Sequence, residues 1–191
     1  MSANAANVNE QTNIPTAQLS SYDPVEVSLA DAPHDTAQEQ LEGYKRAMAA
    51  IELAKRVTGD IDPAVYEQAA LGIRSQAEAQ AQAAGTTLAK TLAEQGIPRE
   101  QYERMTSIQA ADMVNQGLAL DAWARHYHIE PSEDDVMELV ESMAPGHAKE
   151  LFEQLGQDQA QLEALSIAVL RYAANKHLAS TAVVAAQGAT R

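Results

Sequence analysis

The chain has 191 residues, with 27 acidic against 13 basic side chains and a formal net charge of -14, a balance that sets it against nucleic-acid phosphates and anionic membrane surfaces. It contains no cysteine, so disulfides and thiolate metal sites are excluded. Apolar residues make up 46% but aromatics only 4%, and because much of the apolar share is alanine, the composition favours closely approaching helices over a thick Phe- and Leu-filled globule.

The amino terminus, M-S-A-N-A-A-N-V-N-E-Q-T-N, has neither the basic start nor the apolar stretch of a secretory signal. No run reaches the ~18 apolar residues of a membrane span. The expectation is a soluble cytoplasmic protein. Residues 1–33 are rich in Asn, Ala, Ser, Thr and Pro and read as a mostly disordered tail, with one alternating patch at Val25, Val27 and Leu29 that would pair as a strand if a neighbour existed. One helical domain is expected over 34–191.

From Thr36 the pattern is helical. Thr36 and Glu39 make a capping box, Leu41, Tyr44, Met48 and Ile51 recur as an amphipathic seam, and Gly59 closes the helix. Asp62 then caps a second helix that opens on Pro63, the position where proline's missing N–H costs nothing. This helix carries Tyr66, Ala69, Ile73 and Ala77 on one stripe before the run A-E-A-Q-A-Q-A-A, and reads as a projecting arm. Short pieces follow: T-T-L-A-K-T-L-A-E-Q, a break at Gly96 and Pro98, and a connector P-R-E-Q-Y-E-R-M.

The centre of the chain is a helical hairpin over Ser107 to Met143. Val114, Leu118 and Ala122 lie on one face of its first helix and Met113, Leu120, Ala124 and Tyr127 on another, so that helix must be covered on two sides. Its second helix opens with Ser132 as N-cap and Asp135 completing a capping box, while Glu133 and Asp134 load the positive end of the dipole. Beyond Pro145 and Gly146, A-K-E-L-F-E-Q-L-G makes a two-turn helix closed by Gly156. A final helix is expected from about Asp158 to Ala185, with Leu162, Leu165, Val169 and Tyr172 on one stripe, widened by Ile167, Leu170, Ala174 and Leu178. The whole is all-α, an elongated multi-helix body with protruding arms.

The order L-A-E-Q-G-I-P-R-E-Q-Y-E-R-M, a long helix, I-E-P-S-E-D-D-V, E-L-F-E-Q-L-G and Q-L-E-A-L before a last long helix resembles the C-terminal chaperone domain of trigger factor. The likeness covers roughly Thr36 to Val184 and lies in order and spacing more than in any single motif. I-D-P departs from it, since the family more often has one more residue before that proline. The family's ribosome-docking Gly-Phe-Arg-x-Gly-Lys stretch has no counterpart here, nor do the strands and aromatic pocket of its prolyl isomerase domain. The resemblance therefore implies the helical body and arms alone, as a stand-alone chaperone or as a piece of a longer protein.

His126 and His128 are two apart on a helix, so their side chains point about 200° apart and cannot share a metal; they complement the dipole at a helix C-terminus. His34, His147 and His177 read as surface residues. Glu133, Asp134 and Asp135 are explained by their place in a first helical turn. Neither a catalytic residue nor a metal or cofactor site is expected, and the chain is not read as an enzyme.

Met48, Met105, Met113, Met137 and Met143 are flexible and polarizable; on helical stripes they read as core filling, and exposed they would accept varied apolar partners. Met105, with Ile97 and Tyr102 in the Pro-broken connector, is the group for which burial is hardest. The expected substrate-binding residues are Ile97, Tyr102, Met105, Met113 and Phe152. Two functions fit: an ATP-independent holdase that cradles unfolded or nascent polypeptides, and a helical interaction or dimerisation module with one defined partner, a homodimer included. Nucleic acid and membrane are not expected partners.

Overall fold

In the computed structural model, residues 17–29 and 38–185 are described. The elements in chain order are β1 (Gln18–Leu19), β2 (Glu26–Val27), α1 (Gln38–Ala54), β3 (Val57–Thr58), α2 (Pro63–Ala83), α3 (Leu88–Glu94), α4 (Arg99–Tyr127), α5 (Glu133–Met143), α6 (Ala148–Leu155), α7 (Gln159–Thr181) and β4 (Val183–Val184). The architecture is all-α. Among the described residues, four two-residue strands make two ladders, β1 with β3 and β2 with β4. The chain divides into two compact units, one of Met1–Gln18 and Thr58–Val114, the other of Leu19–Val57 and Asn115–Arg191.

In the Leu19–Val57 and Asn115–Arg191 unit, the core gathers on Trp123, which is fully buried together with Leu53, Leu178, Val25 and Val27. Every residue of α4 from Gly117 to Ala124 is buried, so the expectation of a helix covered on two sides holds there. Alanines do much of the packing: Ala49, Ala119, Ala122 and Ala174 are at most 1% exposed, and such small side chains let helices approach closely. In α1 the buried positions are Ala49, Ala50 and Leu53, while Ile51, expected in the seam, is exposed. Leu165 and Val169 of α7 join Val140 of α5 and Ala148 of α6 in a second cluster, and Ala174 and Leu178 of the same helix belong to the Trp123 cluster.

Several boundaries follow local rules. Asp62 accepts from the Ala64 N–H and Pro63 opens α2, and the Ser132–Asp135 capping box of α5 forms in both directions. The Thr36–Glu39 box lies outside the described residues. Three boundaries differ from the sequence reading. The first helix stops at Ala54, because the following residues turn extended into β3 and the turn beyond it uses Gly59 at φ 122°, a left-handed region open to glycine. The last helix stops at Thr181, because Ala182 is extended and the β-branched pair Val183–Val184 runs parallel to β2. The connector before Ser107 is no connector: α4 runs unbroken from Arg99, since Pro98 precedes the helix and supplies its Tyr102 N–H with a carbonyl partner.

The larger correction concerns the tail. Residues 19–29 are built into the packed unit that holds Trp123. Val25 and Val27 are 0% exposed, and their carbonyls accept from the N–H groups of Val183 and Ala185. The Arg56 guanidinium donates to the carbonyls of Ser21, Asp23 and Pro24, and the Tyr127 hydroxyl donates to the Tyr22 carbonyl at 2.7 Å. The alternating patch thus found its neighbour, a strand 157 residues further along the chain, which no local pattern announces.

Candidate functional site

The four candidates Ile97, Tyr102, Met105 and Met113 all fall in the Thr58–Val114 unit. Their placement starts with the end of α3. Gly96 at φ 68° lets its own N–H reach the Ala93 carbonyl and the Ile97 N–H reach Leu92, a glycine-closed helix terminus that turns the chain into Pro98 and α4. Arg74 of α2 then bonds Glu103 of α4 at 2.8 Å, and both are about one-third exposed, so this pair orients more than it stabilises.

On α4, Tyr102 is half-buried, its hydroxyl enclosed without a hydrogen-bond partner among the described residues, and Thr106 and Ala110 are buried. Round the helix lie Met105, Ile108, Gln109, Asp112 and Met113, all exposed. Their spacing, i, i+3, i+4, i+7 and i+8, is that of a single helix face, normally the one turned to a core. Here the apolar members are 54%, 63% and 53% exposed for Met105, Ile108 and Met113. Ile108 was missed in the sequence; its i+3 spacing from Met105 was the signal. Ile97 and Tyr102 were expected on an exposed connector and are instead half-buried, because the continuous helix rotates Tyr102 off the outer face. Phe152 is 42% exposed on α6 and belongs to the other unit.

The polar clusters are internally satisfied. Lys176 bonds Asp135 at 2.7 Å and Glu138 at 2.8 Å, and the Tyr172 hydroxyl adds a bond to Glu138. The Lys176 ammonium, helped by the Ser132 N–H, draws the Asp135 carboxyl down to about 2. Glu138 is lowered by Lys176 and Tyr172, and the Lys176 ammonium is raised by the two carboxylates. The first-turn acid is therefore also a tertiary anchor between α5 and α7. Arg171 forks onto both oxygens of the buried Asp121 at 2.8 and 2.7 Å, which raises its own pKa, and its head group lies over Gly117, where a Cβ would meet it at 2.9 Å.

His177 is not a surface residue. It is half-buried, and its Nδ1 accepts from the indole N–H of Trp123 at 3.1 Å, which requires the tautomer protonated on Nε2. His126 stacks on Tyr22 with ring centroids 4.0 Å apart, and His147 pairs with Glu150 at 2.9 Å. Among the described residues no three His, Asp or Glu side chains gather as a metal site.

A family model for the C-terminus of the bacterial trigger factor protein matches residues 28–180. The chain belongs to the trigger factor C-terminal family. A solved structure of trigger factor domains from Thermotoga maritima superposes with a TM-score of 0.56 at 12% identity, over 85% of this chain and 91% of that one, a likeness that carries the fold. No curated protein matches in sequence. Membership in the trigger factor family gives the chain a chaperone-related role, in the chaperone part of that protein and not its isomerase domain. Among the described residues no helix is long and apolar enough to cross a membrane.

Proposed function

We propose that the chain is an ATP-independent holdase of the cytoplasm, binding unfolded or nascent polypeptides without chemistry or cofactor, and that the outer face of α4 is one of its client surfaces. The observation that carries this reading is the row Met105, Ile108 and Met113, three large apolar side chains on one helix face, each more than half exposed. Most large apolar side chains of folded proteins are buried, and a row left in solvent serves contact. Covering the exposed half of each would contribute about 1 kcal/mol. The three together fall below the ~4 kcal/mol of a millimolar complex, so several such faces must act on one client, and each lets go without ATP. Met137, Met143 and Phe152, also exposed, supply apolar surface of the same kind. The net charge of -14 keeps a loaded complex in solution.

The test is suppression of aggregation of several unrelated denatured proteins, comparing the unaltered chain with Met105→Ser, Ile108→Ser and Met113→Ser combined. The triple variant should lose much of the suppression while its melting midpoint stays close to that of the parent, because exposed substitutions typically change stability by at most about 0.5 kcal/mol each. Binding to a single native partner, or to a second copy, with no effect on denatured proteins would refute the holdase reading in favour of a dedicated interaction module.

A further inference from the structure

Methionine is usually among the more buried side chains, yet Met105, Met113, Met137 and Met143 are 54%, 53%, 50% and 56% exposed. Met48 alone of the described methionines is half-buried, packed against the Trp123 cluster. The chain has no cysteine, so its only sulfur is thioether, and these four side chains are the exposed sulfur nucleophiles among the described residues. A thioether accepts one oxygen atom from a peroxide to become a sulfoxide, a change from an apolar, flexible side chain to a polar one. Two of the four, Met105 and Met113, flank Ile108 on the outer face of α4. Oxygen added there would break an apolar row into one isoleucine between two strong hydrogen-bond acceptors, each of which prefers water to an apolar client.

We propose that Met105 and Met113 are sites of sulfoxide formation by peroxide, and that their oxidation switches off the client surface of α4. In the step, the sulfur lone pair attacks one peroxide oxygen and the O–O bond breaks. The sulfur is oxidised by two electrons, and the remaining oxygen leaves as water after proton transfer. The switch is reversible in principle, since sulfoxide reductases acting with a dithiol return the thioether, the dithiol becoming a disulfide and the oxygen leaving as water. The functional half of the proposal rests on the holdase reading above.

The experiment treats the full chain with graded hydrogen peroxide, maps oxygen uptake at each methionine by peptide mass spectrometry, and measures aggregation suppression after and before treatment as a ratio for each protein against itself. Met105 and Met113 should take up oxygen several-fold faster than Met48. The ratio should fall several-fold for the unaltered chain, recover after treatment with both stereospecific sulfoxide reductases and a dithiol, and fall clearly less for Met105→Leu with Met113→Leu, in which Met137 and Met143 are still exposed to peroxide. Equal rates at Met48, Met105 and Met113 would overturn the site assignment. A ratio near one with both α4 sulfurs oxidised, or an equal fall in the leucine variant, would overturn the switch. An untreated chain without any suppression refutes the holdase reading instead, a result distinct from a suppressing chain that peroxide leaves intact.

Discussion

Replacing Val25 and Val27 together by alanine should strongly destabilise the unit that contains Trp123. Both valines are 0% exposed and belong to one cluster with Leu53, Trp123 and Leu178. Each substitution removes two buried carbons at about 0.8 kcal/mol apiece and leaves a cavity, about 2 kcal/mol per site. The pair shares one cluster, so strict additivity is not expected, and a combined loss of about 3–4 kcal/mol follows. At about 2–4 °C per kcal/mol for a chain of this size, the midpoint should drop by roughly 10 °C. Trp123 is the sole tryptophan and sits in the same cluster, so its fluorescence follows this unit, while circular dichroism follows total helix. Val183→Thr with Val184→Thr is the control: these residues are 57% and 44% exposed, and their replacement should move the midpoint little. A valine-to-alanine pair that melts within about 2 °C of the parent would refute the claim that residues 19–29 are structural, and would restore them to the status of a dispensable tail.

Gly117→Ala should cost about 1–3 kcal/mol, because the new Cβ displaces the Arg171 guanidinium from its fork on Asp121; in an Arg171→Met background the cost should vanish or change sign, alanine being the better helix former, as a double-mutant cycle of melting midpoints would show. The Asp135 carboxyl is held at about 2, below its unfolded value of ~3.9, so its contribution to stability is present above pH ~4 and is lost as the pH falls from there through ~2. In Asp135→Asn that part of the acid dependence should disappear, as acid titrations of unfolding would detect. Lys176 is raised, so its share is present below ~10.5 and is lost as the pH rises beyond that. Lys176→Met should cost about 1–2 kcal/mol at neutral pH, towards the low end because a third of that side chain is open to screening water, read from denaturant midpoints.

What the sequence by itself determined are the features that close within a few residues. Asp62 before Pro63, Ser132 with Asp135, and the glycines at 85 and 96 each satisfy backbone groups of their own turn, so composition and spacing suffice to place them, and with them the all-α class and the order of helices that identifies the family. The exposure of Met105 and Met113 was legible in part, because the residue types suit a contact surface; their alignment with Ile108 needed the helix to be continuous from Arg99. Only the tertiary structure decided the rest. Val25 and Val27 are buried because β4 and the Trp123 cluster arrive beside them, and His177 leaves the surface because Trp123 on another helix needs an acceptor. Asp135, already accounted for as a cap, gains a second role because α7 brings Lys176 within 2.7 Å. Each of these depends on partners separated by 41 to 157 residues, and a side chain's burial is a property of whatever packs on it, which its own neighbours in sequence do not contain.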